Sequence, residues 1–148
     1  MYSHGYDLVV EANGQIRHIQ LKGLRQGGKR SEVTLSTRLA EKRSGCVIWM
    51  VYDPATLVLG PFLWFGGAPG EALPDIGTKV ARHTKGNAQG QKTAKPRHRV
   101  VRKRAFEKIK TMAALADKLF GLPAIQVSAE AVRPMADPGQ SAFEARGM

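Results

Sequence analysis

The sequence predicts a mixed α/β fold of the α+β class, in which helices flank a small mixed β-sheet. Three observations carry this prediction: an Asn-Gly turn between two β-rich runs near the N-terminus, a strongly apolar run at 46–52, and apolar residues at helical spacing over 104–120. With 148 residues and a hydrophobic content of 43%, the chain is long enough for one domain with a modest core.

The first element is a β-hairpin whose turn is Asn13-Gly14, a dipeptide that tolerates the two positive φ angles of a type I′ turn. A two-residue turn pairs Ala12 with Gln15, Val10 with Arg17, Leu8 with Ile19 and Asp7 with Gln20. Alternation then gives a mostly apolar face: Tyr6, Leu8, Val10, Ala12, Ile19 and Leu21. The opposite face carries Asp7, Val9, Glu11, Ile16, His18, Gln20 and Lys22. An ordinary half-buried hairpin with a solvated polar face would show the same pattern.

The segment after the hairpin predicts a connector, a helix and a central strand. Residues 23–30 are rich in glycine and basic residues, typical of a solvated connector or of a loop that contacts phosphates. A helix is predicted over 36–43, with Ser36 as N-cap, Leu39 and Ala40 facing inward, and Arg38 and Lys42 facing outward. Gly45 ends this helix.

The apolar run 46–52 predicts a central strand, and Cys46 within it is interpreted as a buried hydrophobe. Because it is the only cysteine, an intrachain disulfide and a multi-cysteine zinc site are excluded. Asp53-Pro54 predicts a turn before a further strand over 56–65, and Pro61 confines that strand to an edge or a bulge. Trp64 is interpreted as a packing residue rather than a platform for stacking on bases.

The charge is strongly basic, with 23 Lys and Arg against 12 acidic residues and a formal net charge of +11. This balance favours nucleic acid as the partner, with an anionic membrane surface second. The candidate nucleic-acid-binding residues are Arg38, Lys42, Lys79, Arg82, Lys85, Lys92, Lys95, Arg97, Arg99, Arg102, Lys103 and Arg104. Most of them lie in a segment that would contact phosphates without reading sequence, and a merely solvated loop is the alternative.

The predicted organisation has four parts. Residues 1–67 form the sheet core with one helix, 68–103 a basic flexible segment, 104–121 a helix that packs on the core and ends at Gly121, and 122–148 a poorly ordered tail. The sequence contains no apolar run long enough to span a bilayer and no signal-peptide pattern, so a cytoplasmic location and no membrane association are expected.

The polar face of the hairpin suggests metal-dependent phosphodiester chemistry. The Asp7 carboxylate would bind a divalent cation, the Gln20 amide oxygen would add a second ligand, and the backbone carbonyl of Leu21 would complete the protein ligands. Mg²⁺ or Mn²⁺ suits such an oxygen set, because hard cations keep several waters, one of which can attack phosphorus. Lys22 would hold or activate that water and offset charge on the phosphorane.

At Tyr6-Asp7 and Gln20-Leu21-Lys22 the sequence resembles the PD-(D/E)XK nuclease superfamily, in the Gln-x-Lys variant of Mrr-type restriction enzymes. The resemblance covers about residues 3–65. It implies a restriction-endonuclease-like core, catalytic residues on two adjacent strands, and the order of hairpin, helix and strand found here. It also implies that the first helix and strand of that core are missing here. The chain would then be truncated, or a partner chain would supply the missing elements, as in a homodimer, or the fold would be degenerate.

The sequence therefore predicts a Mg²⁺-dependent hydrolase, an endonuclease acting on DNA in preference to RNA, with Asp7, Gln20 and Lys22 as catalytic residues. His18, Glu11 and Ser36 are accessory candidates. Two alternatives stay open. One is a non-catalytic nucleic-acid-binding protein on a degenerate nuclease fold, and the other is an interaction or structural protein with no nucleic-acid role.

Overall fold

The computed structural model describes residues 4–121, and this part of the chain contains eight β-strands and two α-helices. The strands are, in chain order, β1 (Leu8–Ala12), β2 (Gln15–Arg25), β3 (Glu32–Ser36), β4 (Gly45–Tyr52), β5 (Leu59–Gly66), β6 (Val80–Arg82), β7 (Ala94–Arg102) and β8 (Glu107–Ile109). The helices are α1 (Thr37–Glu41) and α2 (Met112–Phe120), and a short 3-10 turn at Lys103–Ala105 joins β7 to β8. The predicted α+β class is confirmed.

The strands form two sheets, a larger one with the order β1-β2-β4-β5-β8 and a smaller one with the order β3-β7-β6. In the larger sheet β2 and β4 run parallel and the other neighbours run antiparallel, so the predicted mixed sheet is confirmed. A parallel pair needs a crossover connection. Here β3 and α1 provide it, because they lie between β2 and β4 in the chain.

The two faces of the larger sheet bury two separate cores. On β4, Val47 and Trp49 belong to a core that also contains Leu39 of α1 and residues of the smaller sheet. Ile48 points the opposite way, into a second core with Leu115 of α2. Because side chains alternate along a strand, β4 is apolar on both faces. This explains the continuous apolar run that predicted a central strand.

The predicted hairpin forms with the predicted turn and register. Asn13 and Gly14 take φ angles of 53° and 70°. The paired residues are Leu8 with Ile19, Val10 with Arg17 and Ala12 with Gln15. One assignment was wrong: the ring of Tyr6 lies 4.9 Å from that of His18, on the polar face. Strand alternation does not reach Tyr6, because β1 begins only at Leu8.

In the second half of the predicted core, the strand predicted over 56–65 is β5, which runs from Leu59 to Gly66. Asp53 makes the expected turn, since its carboxylate accepts hydrogen bonds from the backbone N–H groups of Ala55 and Thr56. Pro61 lies in a bulge, where two residues of β5 oppose one residue of β4 between the pairs Met50–Phe62 and Tyr52–Leu59. The edge alternative is excluded, because β5 pairs with β4 on one side and β8 on the other.

Two predictions for the later part of the chain were wrong. The segment 68–103, expected to be a flexible loop, contains β6 and β7, which pair with each other and with β3. The helix expected from Arg104 begins only at Met112. Before it, β8 adds to the larger sheet through the pairing of Ile109 with Phe62. The helix end is confirmed, because Gly121 is a left-handed C-cap with φ 70°.

Helix α1 is shorter than the predicted 36–43 but begins where expected. The Ser36 hydroxyl accepts a hydrogen bond from the backbone N–H of Arg38, and the helix ends at Glu41. Leu39 is fully buried, as predicted. Gly45 does not end this helix but begins β4.

The predicted tail at 122–148 lies outside the described residues. Within 4–121, no helix has both the length and the apolar character needed to cross a membrane.

Candidate active site

The Asp7 side chain is fixed where the hairpin begins. Its backbone N–H donates to the carbonyl of Ile19 at 2.7 Å, which extends the pairing one residue beyond β1. Its carboxylate Oδ2 accepts hydrogen bonds from the backbone N–H of Leu21 at 2.8 Å and from Gln20 Nε2 at 2.7 Å. The register predicted from the Asn13-Gly14 turn therefore does bring Asp7 beside Gln20.

The three predicted metal-binding groups meet at one point. Gln20 Nε2 lies 2.7 Å from Asp7 Oδ2 and 3.4 Å from the backbone carbonyl oxygen of Leu21. The Gln20 amide thus donates to two oxygens, one of the Asp7 carboxylate and one of the Leu21 carbonyl. A bound cation could take the place of these N–H donors. Rotation of the Gln20 amide by half a turn would present Oε1 in place of Nε2 and give an all-oxygen set.

Lys22 follows on the same face of β2, since Gln20 and Lys22 are two residues apart on a strand. The side chain is half-buried. Burial lowers the pKa of Lys22 below its ordinary value; the negative charge of Asp7 raises it, while Arg30 and Lys95 lower it further. The ammonium group therefore lies within electrostatic range of the Asp7 carboxylate and of two other cations.

This donor set suits a hard divalent cation that keeps most of its water. Mg²⁺ is commonly bound through one or two carboxylates, with waters filling its other positions. Among residues 4–121, no cluster of three or more His, Cys, Asp or Glu side chains is placed to hold a metal ion. The set of Asp7, Gln20 and Leu21 contains a single acid, so any cation held here depends on an amide and a backbone carbonyl.

The accessory candidates are not brought to this point. Glu11 lies near the hairpin turn, paired with Ile16, four residues along the strand from Asp7. His18 shares the site's face, but its Nδ1 lies 3.1 Å from the carbonyl oxygen of Arg43. The Ser36 hydroxyl caps α1. These contacts give His18 and Ser36 structural roles and leave Glu11 too remote to serve as a ligand.

Several of the predicted nucleic-acid-binding residues bond within the protein. The ammonium of Lys79 lies 3.7 Å from the Glu32 carboxylate. Arg82 donates to the carbonyl of Lys92 at 3.0 Å. Arg99 donates to the carbonyls of Pro96 and His98. The Lys42 ammonium lies 5.7 Å from the centre of the Tyr6 ring. These contacts orient the four side chains, of which Lys79 and Arg82 are exposed and Lys42 and Arg99 half-buried.

Other basic residues line two adjoining clefts, the first of which includes Lys22 of the candidate site. One cleft of about 620 Å³ is lined by Lys22, Lys29, Arg30, Glu32, Thr34 and Thr84 among others. A second cleft of about 340 Å³ shares Thr84 with the first and is lined also by His83, Lys85 and Lys95. We call these two joined clefts the basic groove. They contain five Lys or Arg side chains and one acid, Glu32.

A third cleft of about 440 Å³ adjoins the groove at Ser31 and is lined by Arg102, Lys103 and Arg104. The predicted basic set is therefore spread over neighbouring surfaces, and not gathered in one loop. Sequence reasoning missed Thr34, Thr84 and His98 as neighbours of the site. Lys29 and Arg30 were recognisable only as a Gly-rich basic segment.

Comparison of the chain with protein-family models, with curated proteins and with solved structures found no match.

Proposed function

We propose that the chain is a divalent-metal-dependent nuclease that hydrolyses phosphodiester bonds, with DNA favoured over RNA as the substrate. The observation that carries the proposal is the meeting of Asp7 Oδ2, the Gln20 amide and the Leu21 carbonyl on the face of β2 that also bears Lys22. Rotation of the Gln20 amide would complete an oxygen set beside the Lys22 amine and the cationic groove, which matches the needs of phosphodiester hydrolysis.

Asp7, Gln20 and the Leu21 carbonyl would hold Mg²⁺ or Mn²⁺. When bound, the ion supplies Lewis acidity toward a phosphoryl oxygen and lowers the pKa of a bound water. The protein's part is to keep the Asp7 carboxylate in place, and the Leu21 N–H bond at 2.8 Å does this from the backbone of the adjacent strand. The Gln20 amide holds the same carboxylate oxygen at 2.7 Å, so the main chain and one side chain of β2 together fix the carboxylate position.

Lys22 would bind a non-bridging oxygen of the scissile phosphate or the attacking water. Its half-buried position strengthens the interaction with an anion, since less water competes for the ammonium group. The lowered pKa of Lys22 also makes it a better proton acceptor than an exposed lysine.

The restriction-endonuclease-like core is part of this proposal. Supporting it are the hairpin with its predicted register, the crossover through α1, and the parallel placement of β4 beside β2. Asp7 lies one residue before β1, where its backbone still pairs with β2, and Gln20 and Lys22 lie within β2, so the arrangement resembles catalytic residues on two adjacent strands.

The test is cleavage of DNA and RNA by the purified chain with Mg²⁺ or Mn²⁺. We expect cleavage that EDTA abolishes and that Lys22→Ala reduces by about a hundredfold or more, as for loss of a group that stabilises transition-state charge. Lys108→Ala is the matched control, because Lys108 is exposed on β8, which β4 and β5 separate from β2. No cleavage of any DNA or RNA form by folded wild type would refute the nuclease.

A non-catalytic nucleic-acid-binding protein is the second candidate. It is favoured by the orientation of Gln20, whose N–H group donates to Asp7 and so satisfies the carboxylate without a cation. This candidate predicts binding that does not change in Asp7→Ala and that needs no metal. The nuclease predicts instead that Asp7→Ala removes the metal dependence together with the cleavage.

A further inference from the structure

The smaller sheet brings a histidine and a lysine of β7 to the candidate active site. His98 pairs with Ser36 of β3, and Thr34, two residues earlier on β3, pairs with Val100. Directly paired residues share a face of a sheet, so His98 lies on the face that carries Thr34. Thr34 lines the same cleft as Lys22.

Lys95 reaches the same region from the other half of the basic groove, where it lines the cleft with His83 and Thr84. Lys22 lines one cleft of the groove and Lys95 lines the other, and the positive charges of both lower the pKa of His98, although Lys22 lies more than 70 residues before them in the chain. Lys95 lies three residues before His98 on β7, and His83 directly follows β6, which pairs with β7. Three cationic or basic side chains thus converge.

The carboxylates nearest to this group offset its positive charge only in part. Glu32 is the one acid lining the groove, and its carboxylate lies 3.7 Å from Lys79, which draws it toward β6. Asp7 accepts hydrogen bonds from Gln20 and Leu21 and its negative charge acts on Lys22, so one carboxylate is set against the two lysines of the group. The cost of placing like charges together is offset when an anion binds among them.

The pKa of His98 agrees with this arrangement. Burial lowers it below its ordinary value, and the positive charges of Lys95 and Lys22 and the neighbouring His83 lower it further. A neutral imidazole keeps one N–H donor, which can bond a phosphate oxygen without adding to the repulsion between the two lysines.

We propose that Lys95 and His98 of β7, together with Lys22 of β2, form a subsite for one backbone phosphate of a nucleic-acid strand beside the candidate metal site. The subsite deepens the proposed function and rests on it in one respect, namely that the ligand is a phosphodiester. It gives the smaller sheet a part in substrate binding. Lys95 and His98 are positioning residues here, since they hold the strand and not the reacting atoms.

The first test is equilibrium binding in EDTA, so that no cleavage occurs. Fluorescence anisotropy is measured with a short labelled DNA and an RNA of the same sequence, over about 50–200 mM salt. Each phosphate contact changes the slope of log K against log salt by about 0.9, which corresponds to about eightfold in affinity at 0.1 M salt. Lys95→Gln should therefore bind about eightfold more weakly and lose about one unit of slope, while Lys108→Gln, on β8, binds as wild type.

The second test concerns the histidine. His98→Phe keeps a ring but has no N–H donor, and it should bind DNA about fivefold more weakly. His98→Gln restores a donor and should bind within about twofold of wild type. Since a β7 variant can fail to fold, NMR of the wild-type protein provides a check without substitution: the His98 ring signals should shift when inorganic phosphate is added.

The outcomes separate this proposal from the nuclease. Equal binding by wild type, Lys95→Gln and His98→Phe would overturn the subsite, as would an equal loss in Lys95→Gln and Lys108→Gln, even if Mg²⁺-dependent cleavage is found. Wild type that binds neither DNA nor RNA would overturn it as well. Lys95-dependent binding without any metal-dependent cleavage would support the subsite and refute the nuclease.

Discussion

Replacement of Arg17 by methionine tests how the larger sheet is held to α2. The Arg17 side chain is fully buried. Its Nε donates to the carbonyl of Leu119 at 2.6 Å, and Nη2 donates to the carbonyls of Gly67 and Lys118 at 2.7 and 2.9 Å. The guanidinium carbon also lies 5.2 Å from the centre of the Trp64 ring. One arginine thus joins β2, the end of β5 and the last turn of α2.

The expected loss follows from these contacts. A hydrogen bond from a charged donor contributes about 1.5–3 kcal/mol, so three contribute about 4.5–9 kcal/mol. Burial of the guanidinium opposes this by several kcal/mol. That cost is visible in two observations: the pKa of Arg17 is lowered chiefly by burial, and Nη1 has no hydrogen-bond partner within the described residues. We expect Arg17→Met to lower the free energy of unfolding by about 3 kcal/mol, a large part of the roughly 10 kcal/mol usual for such a domain.

Urea denaturation followed by tryptophan fluorescence measures this loss, since both tryptophans are buried. Arg17→Lys should fall between Arg17→Met and wild type, because an ammonium cannot donate along the planar fork that Arg17 uses. Arg25→Met is the matched control: Arg25 is exposed at the end of the same strand, and we expect a change within about 0.5 kcal/mol. If Arg17→Met is as stable as Arg25→Met, the reasoning about this buried arginine is wrong.

Two further predictions follow from the pKa directions. The NMR-measured pKa of His98 should lie below 6.5 and should rise in Lys95→Gln, because removal of a nearby cation favours the protonated imidazole; a value at or above 6.5, or a fall in the variant, would contradict this. Burial raises the pKa of Cys46 to about 12, so the native thiol should resist an aromatic disulfide reagent at pH 8 and react promptly in urea; rapid reaction of native protein would show that β4 is accessible.

The hairpin could be predicted from sequence because its geometry is local. Asn13 and Gly14 fix the turn, and the turn fixes the register over the next residues in both directions. Asp7 and Gln20 are therefore placed by residues within the same twenty-residue stretch. Their hydrogen bond of 2.7 Å therefore follows from the local turn sequence.

Strand β7 could not be predicted, because its neighbours are distant in the chain and its composition is cationic. It pairs with β3, more than 60 residues earlier, and only Val101 on it is fully buried. A register shift beside Val80 and Ala81 breaks its alternation further. The signal available in the sequence was the β-branched pair Val100-Val101 within an otherwise basic run. Consequently Lys95 could be placed in a basic segment but not beside Lys22.

The wrong helix limit has a different cause. Phe106 and Ile109 are spaced three apart, which matches one face of a helix. Neither residue is helical, since Phe106 follows the 3-10 turn at Lys103–Ala105 and Ile109 belongs to β8. The Phe106 ring packs against the rings of Trp49 and Phe65, with 5.3 Å between ring centres in each case. Ile109 of β8 pairs with Phe62 of β5. Thr111 was the better helix signal, since its hydroxyl accepts a hydrogen bond from the Ala114 N–H as the true N-cap.

Strand β2 carries both the buried Arg17 that binds α2 and the candidate site residues Gln20 and Lys22. Arg17 points toward α2 through three hydrogen bonds, whereas Gln20 and Lys22 lie on the opposite face, on the side of the basic groove. A strand held on one face by a buried arginine cannot slip by one residue without exchanging that arginine with the site residues. The Arg17 contacts therefore reinforce the register that the Asn13-Gly14 turn already sets. Because the turn still sets the register in the variant, Arg17→Met should weaken the fold while leaving the Lys95-dependent binding of DNA intact in the fraction of protein that remains folded.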